Sequence, residues 1–164
     1  MKNFFLCPLP EDQKPINLYL KTKENPFLSW TTFSEKAYHQ RIFSFFLFNF
    51  LFIFVLRFHL LQSFSYFGEW ILINSIVNFV SLNLFLIFVL ARWKQIEKEF
   101  QSPYIVYEET SWSDAERWEK PNSIQRQDNL LNQQKVTPVI QRLIRTIFQI
   151  SALTFSCLLL LKIS

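Results

Sequence analysis

Three long apolar stretches, Ile42–Leu61, Ile71–Ala91 and Thr146–Leu161, constrain this chain more than anything else in it. Crossing roughly 30 Å of hydrocarbon takes about 20 residues of α-helix. Ile71–Ala91 has no charged side chain and would extend about 32 Å as a helix. Ile42–Leu56 holds seven phenylalanines but reaches only about 22 Å. Continuing to Leu61 restores the length if Arg57 snorkels its guanidinium toward the headgroups. Thr146–Leu161 spans about 24 Å. The third crossing is therefore expected to begin nearer Val139, with Arg142 and Arg145 snorkelling at one end and Lys162 marking the other. Soluble domains do bury apolar runs of about 10–14 residues. A body of 164 residues that is 50% hydrophobic, with 20 phenylalanines, has nowhere to bury three such runs at once. The expected fold class is an all-α membrane protein: three transmembrane helices, with a polar loop containing a small β-hairpin between the second and third.

Charge orients the threading. Of the 17 Lys and Arg residues, only Arg57 and Lys162 fall in the first loop and at the C-terminus; the others precede the first span or lie between the second and third. The positive-inside rule places that basic side in the cytosol or, in a plastid, the stroma. The C-terminus then lies on the opposite side. Because the positive charge flanks spans, the net charge of +4 is no argument for nucleic-acid binding. Trp70 and Trp93 bracket the second span, and Tyr66, Trp30 and Tyr38 stand near span ends, where interfacial aromatics belong.

The chain divides into four segments: residues 1–41, an N-terminal polar segment with interfacial helices; 42–91, a transmembrane helical hairpin; 92–138, a polar region; and 139–164, the third span. Within the first, Pro8, Pro10, Pro15 and Pro26 leave room for one short amphipathic helix around Ile16–Lys23. Asn25 followed by Pro26 reads as a helix start. Pro26–Thr32 is expected along the membrane surface with Phe27, Leu28 and Trp30 toward lipid. Ser34 with Glu35 starts the helix that becomes the first span, and Ser102 with Pro103 ends the one that extends the second. Residues 104–119 read as a β-hairpin, since YIVYEET and the stretch around Trp118 flank the polar turn Ser111–Asp114. Residues 123–134 suggest an interfacial helix, and Thr137 with Pro138 a fresh cap-plus-proline start for the third span. No cleaved signal peptide is expected, because the apolar run in MKNFFLCPLP is too short.

Chemistry-bearing clusters are few. Asn74, Asn78 and Ser81 have i, i+4, i+7 spacing and share a helical face. Such a face can line a solute path or join helices through amide contacts. The lack of an ionisable group in mid-span favours joining. Glu108, Glu109, Asp114, Glu116 and Glu119 cluster with Arg117 and Lys120, a set that could hold a hard cation but equally suits a solvated hairpin. His39 and His59 fall at opposite ends of the first span, as Cys7 and Cys157 fall on opposite sides, so neither a shared metal site nor a disulfide is expected. The sequence contains no Gly-rich phosphate loop, Ser-His-Asp set, CxxC or HExxH, and with one glycine a phosphate cradle is awkward. No cofactor is expected, and the chain is not read as an enzyme.

The polar pieces Cys7-Pro-Leu-Pro-Glu-Asp-Gln-Lys-Pro-Ile-Asn17, Tyr107-Glu-Glu-Thr-Ser-Trp-Ser-Asp114, Trp118-Glu-Lys-Pro121, Arg126-Gln-Asp128 and Lys135-Val-Thr-Pro138 keep an order and spacing across nearly the whole chain. In this they resemble the hypothetical chloroplast reading frame family called ycf thirty-six, related to plant proteins conserved in the green lineage and diatoms. Three positions depart from the family pattern: Ser111 and Ala115 stand where glycines flank the first hairpin tryptophan, and Thr137 where relatives tend to carry lysine. The resemblance implies a plastid membrane and a stromal hairpin. It brings no enzyme activity, although some relatives are associated with iron nutrition or photosynthetic function.

The leading expectation is an accessory or assembly factor in the plastid membrane, the thylakoid in particular, docking a membrane-protein complex. The docking candidates are Trp112, Asp114, Trp118, Glu108, Glu109, Lys120, Pro121, Arg126 and Asp128. The alternative is metal (iron) or small-solute handling through Asn74, Asn78 and the hairpin carboxylates. The oligomeric state is not legible in the sequence.

Overall fold

The computed structural model describes residues 14–60, 67–108 and 115–163. It is mostly helical, and three of its helical stretches, Glu35–Arg57, Gly68–Gln101 and Asn122–Lys162, are long and apolar enough to cross a membrane. Helix α1 (Pro15–Glu24) is succeeded by a short 3-10 helix (Ser29–Thr32), then by α2 (Glu35–Leu60) and α3 (Phe67–Gln101). Strands β1 (Tyr104–Glu108) and β2 (Ala115–Glu119) pair antiparallel with Tyr104 opposite Glu119 and Glu108 opposite Ala115. The connecting turn, including Ser111 and the candidates Glu109, Trp112 and Asp114, lies outside the described residues. Helix α4 (Asn122–Leu131), a π-helical turn (Asn132–Val136) and α5 (Thr137–Ile163) complete the chain.

The helix ends have local causes. Pro15 opens α1 at a position where its missing N–H costs nothing. Lys21 and Lys23 in the last turn of α1 complement the negative end of the helix dipole, as Glu35 in the first turn of α2 complements the positive end. At the end of α3 the Ser102 hydroxyl donates to the Tyr104 carbonyl at 2.6 Å. Pro103 cannot continue the helix.

Thr137 is the first residue of α5, as expected, but it is not a cap. Its backbone is helical (φ −55°, ψ −43°), and α4 passes through the π-turn into α5. Pro138 lacks an N–H and its ring would crowd the carbonyl of Gln134; widening the preceding turn accommodates both demands without a break. Asn25 does cap, with its Oδ1 accepting the Phe27 N–H at 3.0 Å. The element it caps is a turn leading into the 3-10 helix instead of an α-helix.

The chain divides into two compact units, one from the described part of Met1–Ser29 with Arg92–Ile140, the other from Trp30–Ala91 with Gln141–Ser164. In the second unit the buried stripe of α3 runs through Trp70, Asn74, Asn78, Leu82, Leu86 and Val89. Spacing of four carries it through Leu82, and Ser81, expected on the same face, is exposed. On α5, Leu143, Thr146, Ile150 and Thr154 are buried. The Thr146 and Thr154 hydroxyls donate to the carbonyls of Arg142 (2.9 Å) and Ile150 (2.6 Å) one turn back, which satisfies them within the helix.

Several aromatic and cationic side chains turn inward where the sequence suggests an interface. Trp30 is 3% exposed; it stacks on Tyr38 at 5.5 Å and meets Phe45 and Phe85. Leu28 is buried too, which leaves Phe27, 76% exposed, as the one apolar side chain of that trio facing outward. Trp70 and Trp93 are buried, Trp70 edge-on to Phe54 at 4.6 Å and Trp93 edge-on to Tyr19 at 6.1 Å. Arg142 has protein partners: its Nη1 donates to the Phe33 carbonyl at 2.8 Å, and its guanidinium lies over the Tyr38 ring. The Tyr38 hydroxyl bonds Thr146 Oγ1 at 3.0 Å. A cation thus fastens the turn before α2 to α5, and a phenol fastens α2 itself to it.

Candidate functional site

In the unit containing the strands, an ion pair organises the polar segment. Lys120 comes directly after β2; its backbone N–H donates to the Pro103 carbonyl at 2.9 Å, which fixes where the side chain enters. Nζ then reaches Asp128 Oδ2 at 2.8 Å and the Glu99 carbonyl at 2.9 Å. The Lys120 side chain is 0% exposed and that of Asp128 11%. Glu99 belongs to the last turn of α3, whose carbonyls have no intrahelical donor, so the ammonium satisfies one of them while facing the negative end of the helix dipole. One side chain therefore ties the end of α3, the end of β2 and α4 together.

Lys120 and Asp128, expected to meet a partner, are thus turned toward each other. Pro121 is half-buried beside them, and Arg126 is exposed on α4. Glu108 and Trp118 have strand backbone, but their side chains fall outside the described residues, as do Glu109, Trp112 and Asp114 entirely. Leu130, one turn beyond Arg126 and 58% exposed, is absent from the candidates the sequence suggests. Its i+4 relation to Arg126 puts a cation and a large apolar side chain on one face of α4. The amphipathic spacing of 123–134 is the signal that could have found it.

Nearby in the same unit, the Lys135 ammonium sits 5.8 Å from the centre of the Tyr19 ring. Burial pushes the Tyr19 phenol above its ordinary pKa, because the phenolate would lose solvation. The ring therefore stays neutral as a surface for the cation.

The intramembrane candidates separate. Asn78 accepts from Asn49 Nδ2 at 2.8 Å and donates to the Phe46 carbonyl at 3.3 Å, joining α2 to α3. Asn74 is wholly buried, and neither its Oδ1 nor its Nδ2 has a hydrogen-bond partner among the described residues. Among the described residues no three His, Cys, Asp or Glu side chains converge to hold a metal. Replacing Asn78 with leucine is expected to lower the thermal stability of purified protein by about 0.6–2 kcal/mol, since it strands the Asn49 amide. The Asn49→Leu/Asn78→Leu double variant should recover part of that loss, read by circular dichroism in detergent.

Comparison with known proteins agrees over most of the chain. Residues 7–149 match the CGLD27-like family, described as Conserved in the green lineage and diatoms 27. The chain is 28% identical over 149 residues to the uncharacterized protein ycf36 of Pyropia yezoensis, covering 86% of each. It is 30% identical over 143 residues to that of Cyanophora paradoxa, covering 86% of this chain and 89% of the relative. The chloroplastic protein Conserved in the green lineage and diatoms 27 of Arabidopsis thaliana is 29% identical over 155 residues, 93% of this chain and 47% of the plant protein. No solved structure matches at a significant level.

Proposed function

We propose a non-enzymatic accessory role in a plastid membrane for this chain, which belongs to the CGLD27-like family, Conserved in the green lineage and diatoms 27. The three apolar helices cross the bilayer, with the strand-bearing region on the stromal side and the C-terminus opposite. The thylakoid is the membrane in question, and the partner is a membrane-protein complex assembled or maintained there. The chloroplastic designation of the Arabidopsis relative supports the compartment. The exposed face of α4 carries the docking proposal. Lys120 and Asp128 neutralise each other inside, and Arg126 with Leu130 is presented outside. A cation beside an uncovered leucine suits a protein surface with an acidic rim and an apolar centre.

Mild solubilisation and native separation test this. The chain is expected to migrate in an assembly much larger than itself, and an Arg126→Ala/Leu130→Ala variant to migrate smaller while keeping its own fold. Migration of the wild type only as a free small protein would refute the reading. Protease added to sealed vesicles should reach the strand region and the C-terminus from opposite faces; cleavage of both from one face refutes the threading.

A further inference from the structure

We propose that Arg57 and Asn74 form a binding site for an anionic oxygen group that also carries a hydroxyl, the chemistry shared by a phosphate–glycerol lipid headgroup and free hydrogen phosphate. Both residues belong to the helical hairpin of α2 and α3. Asn74 is 0% exposed, and both polar atoms of its amide lack a partner among the described residues. The Nη1 of Arg57 is likewise buried and without a hydrogen-bond acceptor among them. The guanidinium lies 5.7 Å from the centre of the Trp70 ring. Trp70 and Asn74 stand one turn apart on the buried stripe of α3. Arg57, by its contact with Trp70, and Asn74, one turn along α3 from Trp70, therefore lie near the same end of the hairpin.

An enclosed amide that bonds nothing costs about 1–3 kcal/mol, and a charged group with a missing bond costs more. An apolar side chain at position 74 would continue the stripe without that cost. The unmet valences specify the occupant. Arg57 offers a charged N–H and calls for an anionic acceptor. Asn74 offers an N–H from Nδ2 and needs a donor for Oδ1. A bare anion leaves Oδ1 unmet, whereas an anion with a hydroxyl serves all three. Arg57 as a residue is only half-buried, so the occupant approaches on its side. The indole of Trp70 holds the guanidinium in place by a cation–π contact.

The test uses the full chain purified in a neutral detergent, with retained lipid measured by native mass spectrometry after adding phosphatidylglycerol or phosphatidylcholine. Wild type is expected to retain phosphatidylglycerol roughly tenfold more tightly than phosphatidylcholine. Arg57→Gln and Asn74→Leu should each lose that preference, while Arg145→Gln, at an exposed position, keeps it. Asn74→Leu removes an unsatisfied amide and should fold at least as well as wild type, so its result is not confounded by unfolding. Displacement of phosphatidylglycerol by millimolar inorganic phosphate would support the site and name the free anion as its occupant. Resistance to that displacement would support it and name the lipid. Equal retention of the two lipids, or an unchanged preference in Arg57→Gln and Asn74→Leu, would overturn the proposal and leave Asn74 facing water alone.

Discussion

Lys120→Met is expected to cost about 3–5 kcal/mol, because it removes the ammonium that neutralises a buried carboxylate and leaves Asp128 charged and enclosed. Methionine keeps most of the stem's volume, so packing loss is not the main effect. The Glu99 carbonyl at the end of α3 also loses its donor, adding about 1 kcal/mol. The double variant Lys120→Met/Asp128→Leu should return close to wild type, since two apolar side chains of similar volume fill the site without a charge to desolvate. Unfolding of the purified chain, monitored by tryptophan fluorescence, reads both, Trp93 being wholly buried in the same unit. A surface pair would behave differently: it would lose under about 1 kcal/mol, and salt would erase the difference. A loss below about 1 kcal/mol for the single variant, or a double variant no better than the single, would place these residues at the surface and return them to the docking candidates.

How much of this was legible in the sequence depends on the range of the interaction. Helix limits set by neighbours a few residues away could be read directly: Pro15 at the start of α1, Glu35 at the start of α2, Ser102 with Pro103 after α3. The three apolar helices could be read because length and the absence of charge are local properties. The direction in which a side chain turns could not. Arg142 and Phe33 are 109 positions apart and Tyr38 and Thr146 are 108 apart, and nothing local marks either as half of a pair. Lys120 looks like a member of a solvated charge cluster and Asp128 like a docking residue, because their inward turn depends on the Pro103 carbonyl and the end of α3. The asparagines of α3 show the intermediate case. Helical spacing implies a shared face, but only the position of α2 decides that Asn78 meets Asn49 and that the stripe continues through Leu82 instead of Ser81.

Trp30 and Phe27 put that distinction to a direct trial. Both look like lipid-facing aromatics in sequence, yet Trp30 is 3% exposed and Phe27 76%. Trp30→Ala should destabilise the chain by about 3 kcal/mol, the lower end of the range for deleting a buried aromatic. The lower end applies because surroundings of lipid or detergent tail are themselves apolar, so the lost transfer energy is small and lost packing dominates. That packing includes the stack on Tyr38 and the contacts with Phe45 and Phe85. It also holds Tyr38 where its hydroxyl meets Thr146 and its ring meets Arg142. Coupling is therefore expected: after Trp30→Ala, a further Arg142→Ala should cost less than it does in wild type, because Tyr38 no longer presents a fixed ring. Phe27→Ala should change stability by less than about 0.5 kcal/mol. Unfolding midpoints in one detergent, measured for wild type, the three single variants and the Trp30→Ala/Arg142→Ala pair, decide the matter. Equal effects at Trp30 and Phe27 would mean that Trp30 faces outward after all, and additive losses at Trp30 and Arg142 would mean that Tyr38 does not link them.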